Sequence, residues 1–211
     1  MNKPGVVYWR ELKRQKHLCI VTSLQFLLTT LLLVWRMEDF TTFTYFLYIP
    51  FLFSVVTQND IYFYDLTTSI ETLLATPLDA AQILKEKGLF IVIKSVILGV
   101  AMFPVYLIIL YVNGYKPNIL IWNEALLLLL CFLLQYSLSL LVGTVTWLYG
   151  KKSRLGIIIG QGLLLNGLTA ISSWDIKGSG TVMVISIVAA YGVSRVLIKR
   201  LRTENMIMRC L

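Results

Sequence analysis

IETLLATPLDAAQIL, Ile70 to Leu84, lies inside a polar interruption that runs from Asn59 to Lys87. Its reading decides what the long apolar stretches on either side must be. Just upstream, Thr68-Ser69-Ile70-Glu71 has the form of a capping box, in which the threonine hydroxyl accepts the glutamate backbone N–H while the carboxylate reaches back. A helix is therefore predicted to start near Ser69. Pro77 lacks an amide hydrogen and pushes Thr76 out of the helical region, so that helix ends near Ala75 after roughly two turns. Two turns are not stable alone in water. Ile70, Leu73 and Leu74 fall at i, i+3 and i+4, a narrow apolar stripe that needs a receiving surface, as a docking helix does. Asp79 then reads as the N-cap of a new helix, with Gln82 three residues on, running through Ile83 and Leu84 into the next apolar stretch.

The flanking sequence is membrane-like. Hydrophobic residues make up 57% and charged residues 14%, with a mean hydropathy of +0.76, whereas a soluble domain carries about 25% charge. A span needs about 20 apolar residues, and six stretches meet or approach that: Leu18–Trp35, Phe40–Val56, Leu89–Val112, Glu124–Tyr149, Leu155–Ser172 and Thr181–Ile198. The expected fold is all-α and polytopic, a single transmembrane domain over 1–211. In it, 1–17 is an interfacial segment, 18–198 holds six spans with a cytoplasmic loop at 57–88, and 199–211 is a cytoplasmic tail.

Charge sets the orientation. The net charge is +8, but the basic residues sit at span ends without aromatic interleaving, which argues against nucleic acid. Only Arg36, Lys116 and Lys177 fall on the outer side; the other 16 of the 19 Lys and Arg fall on the inner side, which places both termini in the cytoplasm. Trp35, Trp122 and Trp174 are expected at outer ends and Trp147 at an inner end, where indole rings favour the interface. Near the N-terminus Val7, Tyr8, Trp9 and Leu12 alternate with Arg10, Glu11, Lys13, Arg14 and Lys16. That mixture suits a helix lying among lipid headgroups, or a basic tail that only sets orientation.

Within the spans, Gln25, Gln135, Gln161 and Asn166 need partners in hydrocarbon, as interhelical bonds or as the lining of a pathway. Pro50 and Pro104 are expected to break or kink their spans. Gly156 and Gly160 form a GxxxG that permits close helix approach. No Asp or Glu lies deep in a span, which counts against proton-coupled transport.

Catalytic motifs fail. GTVTWLYGKKS, Gly143 to Ser153, has six residues rather than four between its glycines and Lys152 where a phosphate loop has Ser or Thr. His17 is the only histidine, which removes paired-histidine zinc chemistry. Cys19, Cys131 and Cys210 are far apart and suggest no disulfide or metal site.

Glu71, Leu73-Leu74, Thr76-Pro77, the pair Ile83-Leu84 and Lys87 resemble the cytoplasmic loop between the second and third spans of type-2 ABC transporter permeases. The resemblance covers about twenty residues closely; it departs from the family at Thr68-Ser69, where Gly-Thr is usual, and at Glu86, where Gly is usual. It implies a coupling helix carrying Ile70, Glu71, Leu73, Leu74, Thr76 and Pro77 that seats on a separate cytoplasmic ATPase, two copies per complex. It also implies an elbow helix with Trp9, Arg10, Leu12 and Lys13, and a second permease copy or a related permease. No cofactor is then expected in this chain, ATP and magnesium belonging to the ATPase. The expectation is a non-enzymatic exporter subunit in a bacterial plasma membrane, in contact with lipid and carrying an amphipathic or hydrophobic, peptide- or antibiotic-like cargo. A nontransporting immunity or assembly factor is the alternative.

Overall fold

In a computed structural model of the chain, the residues described are 11, 50, 51, 53–55, 57, 58, 61–65, 79–112, 114, 122–153, 155–157, 159–161, 163 and 176–201. They are helical apart from short turns. Three long helices stand out: α1 (Ala80–Val112), α2 (Trp122–Tyr149), which ends in a 3-10 turn over Gly150–Ser153, and α3 (Ile176–Ile198). The described residues within 50–65 and within 155–163 are also helical. The apolar stretch Leu18–Trp35 lies outside the described residues.

The local signals explain most of the ends. Asp79 is the last residue before α1, and its carbonyl accepts the amides of Gln82 and Ile83 at 2.9 and 3.0 Å, as the N-cap reading requires. Gly114 and Gly150 follow α1 and α2 with φ of 77° and 63°, a left-handed turn conformation that a side chain disfavours. The stretch that resembled a phosphate loop is the last two turns of α2 and the turn after it.

Three expectations are corrected and one is narrowed. The helix expected from Thr181 begins at Ile176 and takes in Gly178-Ser179-Gly180; each glycine costs only about 1 kcal/mol in a helix, which the long apolar helix behind it outweighs. Residues 57, 58 and 61–65, assigned to the polar loop, are helical, and all of them but Phe63 and Tyr64 are buried. Of the break or kink expected at Pro104, the break is excluded, since the residue sits inside α1 without ending it; neighbouring groups in a packed membrane helix can replace one lost backbone bond. Trp147, expected at the interface, is 1% exposed.

Among the described residues, length and composition make three helices able to cross a membrane: Ala80–Ile108, Leu128–Tyr149 and Gly180–Ile198. These mark the chain as a membrane protein. Exposure agrees, since α1 turns Leu89, Ile97, Val100 and Ile108 outward and α3 turns Val184, Ile185, Val188 and Val196 outward. In water such patches would drive association; in lipid they are the solvated face. α2 is central, packing against both α1 and α3. It meets α3 along a narrow stripe of Met183, Ala190 and Ser194, where Cys131 Sγ lies 4.0 Å from Met183 Sδ.

The tightest core gathers Ile61, Tyr62, Ile83, Leu84, Phe90, Ile91, Leu140 and Trp147. Gly143 makes it possible: a Cβ there would stand 2.6 Å from the Tyr62 ring and 2.9 Å from Leu84. The ring cannot swing away freely, because Tyr62 Oη shares a 3.1 Å hydrogen bond with Ser139 Oγ one turn along α2. Gly143→Ala is therefore expected to destabilise the fold by about 1–3 kcal/mol. Gly156→Ala, where a Cβ meets nothing within 4 Å, should leave the detergent-solubilised melting temperature near the parent value.

Candidate functional site

The helical period of α1 puts Ile83, Leu84, Lys87, Phe90 and Ile91 on one buried face. Lys87 is the one cation in that stripe, and it is fully buried. Its Nζ donates to Glu11 Oε1 at 2.9 Å and to Asp65 Oδ2 at 2.6 Å, and both carboxylates are also fully buried. Glu11 comes from the N-terminal segment and Asp65 from the end of the 61–65 helical stretch, so one ammonium joins three parts of the chain. Lys85, two residues earlier, is exposed. Charge-assisted bonds of this length are strong, yet a buried ion cluster does little for net stability because each ion loses its hydration; what it fixes well is geometry.

A second feature lies deeper. Gln161 Nε2 donates to Gln58 Oε1 at 2.8 Å, and Gln58 Nε2 donates to Ser54 Oγ at 2.8 Å. This polar chain edges a cavity of about 230 Å³ whose other walls are Phe51, Val55, Leu138, Leu141, Val142, Val145, Ile157 and Gly160. Sites for whole drug-sized molecules run to about 300–1,000 Å³, while a dry cavity of about 150 Å³ takes benzene. The space therefore suits one apolar group, a ring or a short chain, beside an amide edge. Elsewhere along α2, Ser95 Oγ lies 3.1 Å from Gln135 Oε1 and 2.8 Å from the Val92 carbonyl, bridging α1 to α2. Gln135 Nε2 and Trp147 Nε1 are buried with no hydrogen-bond partner among the described residues.

No family model, curated protein or solved structure matches the chain.

Of the residues singled out in the sequence, Gln135 acts as an interhelical bridge and Gln161 both bridges and lines the cavity. Trp9, Arg10, Leu12, Lys13, Gln25, Ile70, Glu71, Leu73, Leu74, Thr76, Pro77 and Asn166 lie outside the described residues. The glycines of the GxxxG, Gly156 and Gly160, are exposed, and a Cβ on either would meet nothing within 4 Å. The charge cluster was not anticipated, although signals for it exist: Lys87 falls in the period of Ile83, Leu84, Phe90 and Ile91, and Glu11 is the lone acid in a basic segment.

Two substitutions check these assignments by thermal unfolding in detergent. Lys87→Met leaves two buried carboxylates without their ammonium and is expected to cost about 3–5 kcal/mol. Gln161→Leu removes one donor to Gln58 and is expected to cost about 1–3 kcal/mol.

Proposed function

We propose that this chain is the membrane-spanning subunit of an ATP-driven exporter of the type-2 ABC class, with six spans, an N-terminal elbow helix and a coupling helix over Ile70–Pro77. The observation that carries the reading is continuity: α1 starts three residues after Pro77, where the expected coupling helix ends, takes in the rest of the resembling segment and runs for 33 residues. At about 1.5 Å per residue α1 is roughly 50 Å long, more than the hydrocarbon thickness of about 30 Å. It is thus long enough to reach out of the bilayer toward a docked ATPase.

In this reading two ATPase subunits hold ATP and magnesium, seat on the Ile70–Pro77 helix of each permease copy and draw together on binding nucleotide. Leu73 and Leu74 anchor the contact, and α1 carries the displacement into the membrane as a rigid lever. The cavity beside Gln58 and Gln161 fits the apolar part of an amphipathic cargo. A nontransporting membrane factor that binds a partner within the bilayer is the competing reading, favoured by the open faces of Gly156 and Gly160.

Two measurements test the proposal. Leu73→Asp with Leu74→Asp is expected to abolish co-purification of an ATPase while the chain stays in the membrane; a normal complex from that variant would remove the coupling assignment. Glu71→Cys, with Cys19, Cys131 and Cys210 replaced by serine, is expected to crosslink a partner of ATPase size in a yield that changes with ATP. Absence of any such partner would favour the nontransporting factor.

A further inference from the structure

The chain leaves the charge cluster at Asp65 and returns to it at Lys87, so the pair between them closes the base of the connecting segment 66–79. Glu11, 76 residues before Lys87, reaches the same ammonium from the N-terminal segment. The three side chains are fully buried beside the Tyr62, Ile83, Leu84 and Ile91 core. Lys87 also stands two residues before Leu89, the first outward apolar residue of α1, at the junction between the part of the helix that faces lipid and the part that does not. Apolar packing of the same volume would stabilise this region as well or better, since it carries no desolvation cost. An ammonium held at 2.6 and 2.9 Å by two carboxylates instead fixes a single relative placement of the groups that meet there.

We propose that Lys87 is a positioning residue whose ammonium locks the N-terminal segment, the end of the 61–65 stretch and the foot of α1 into one body. Displacement of the 66–79 segment is then passed to α1 and to the N-terminal segment together, rather than being absorbed between them. The source of that displacement rests on the exporter reading; the lock itself does not.

The test uses the full chain in lipid nanodiscs, with its cysteines replaced by serine and spin labels at Lys13→Cys and Tyr149→Cys. The parent is expected to give a narrow distance distribution by pulsed electron resonance. Glu11→Leu/Asp65→Leu/Lys87→Met, which keeps apolar volume and removes all three charges together, is expected to broaden it. The exchange Asp65→Lys/Lys87→Asp, which retains one ammonium and two carboxylates, is expected to narrow it again. A broad parent distribution, a triple variant as narrow as the parent, or an exchange variant as broad as the triple would overturn the lock. If the triple variant does not fold, the exchange variant decides alone: narrow supports the lock and broad overturns it.

A second label pair, Tyr111→Cys and Val184→Cys, reads transmission in the complex with a co-purified ATPase. ATP is expected to shift that distance in the parent and not in the triple variant, with the ATPase still bound to both. A shift retained in the triple variant overturns the transmission role. If no ATPase co-purifies with the parent, the exporter reading fails, and the first label pair still judges the lock.

Discussion

An ammonium with no access to water must find its whole solvation shell in the protein, and around Lys87 that requirement organises the end of the fold where α1 begins. Two carboxylates come to it from segments that share no local backbone, Glu11 and Asp65. To bring Asp65 there, the helical stretch before it has to lie against α1 and α2, which puts Ile61 and Tyr62 in the core and the Tyr62 ring against the backbone of α2. Only glycine at 143 leaves room for that ring. Charge placement and close packing are thus one constraint seen from two sides: a bulkier residue at 143 would push out the helix that delivers Asp65.

Elsewhere the usual sorting of residues is inverted by the solvent. α1 and α3 turn valine, isoleucine and leucine outward, whereas the inward side of α2 is rich in small and hydroxylated residues, among them Ser137, Ser139, Gly143, Thr144 and Thr146. Two of those hydroxyls, on Ser137 and Thr144, are satisfied within the helix itself, whereas Ser139 pairs with Tyr62. Ser137 donates to the carbonyls of Leu133 and Leu134 at 3.0 Å, and Thr144 donates to Leu140 at 2.6 Å, so their polarity is spent within the helix while their small size lets neighbours approach. Where an inward polar group is too long for that, as with Gln58, Gln135 and Gln161, it bridges to a neighbouring residue, across helices for Gln135 and Gln161, and in one place leaves a cavity beside it.

What was legible in the sequence follows from this. Helix ends written in turn chemistry or in the length of an apolar run were readable: Asp79, Val112, Tyr149 and Ile198 are where the reading put them. The all-helical character and the membrane were readable from composition. Lys87 was not, because a count of cations by membrane side gives a residue its side and not its helix face, and its two acids are distant in sequence. Trp147 was misplaced for a related reason: an indole near a span end favours the interface only when no core competes for it, and Ile61, Ile83 and Leu84 lie in the same cluster here. Close approach inside the chain is carried by a different glycine from those the motif marks. Gly156 and Gly160 have the recognisable spacing, yet a Cβ on either would meet nothing within 4 Å among the described residues, while Gly143, which no spacing marks, carries the closest approach among them.

The position of the cluster along α1 gives it mechanical meaning. A helix longer than the hydrocarbon is thick tilts or leaves the bilayer, and the charges of α1 that favour an exit, Lys85, Glu86 and Lys87, sit together near its start. At that exit, lipid no longer confines the helix laterally, so its direction is set by what the protein attaches there. Apolar contacts alone would let it slide by small steps, because burial is non-directional and changes little over an ångström. The ion cluster changes over that distance: an N–O separation of 2.6 Å becomes a broken contact after a shift of about an ångström and a half. A movement applied to the adjoining segment therefore either carries the foot of α1 along with its two carboxylate-bearing neighbours or breaks the cluster and exposes its cost. A charged lock in this place makes the response closer to all-or-none, and an apolar one of equal stability would not.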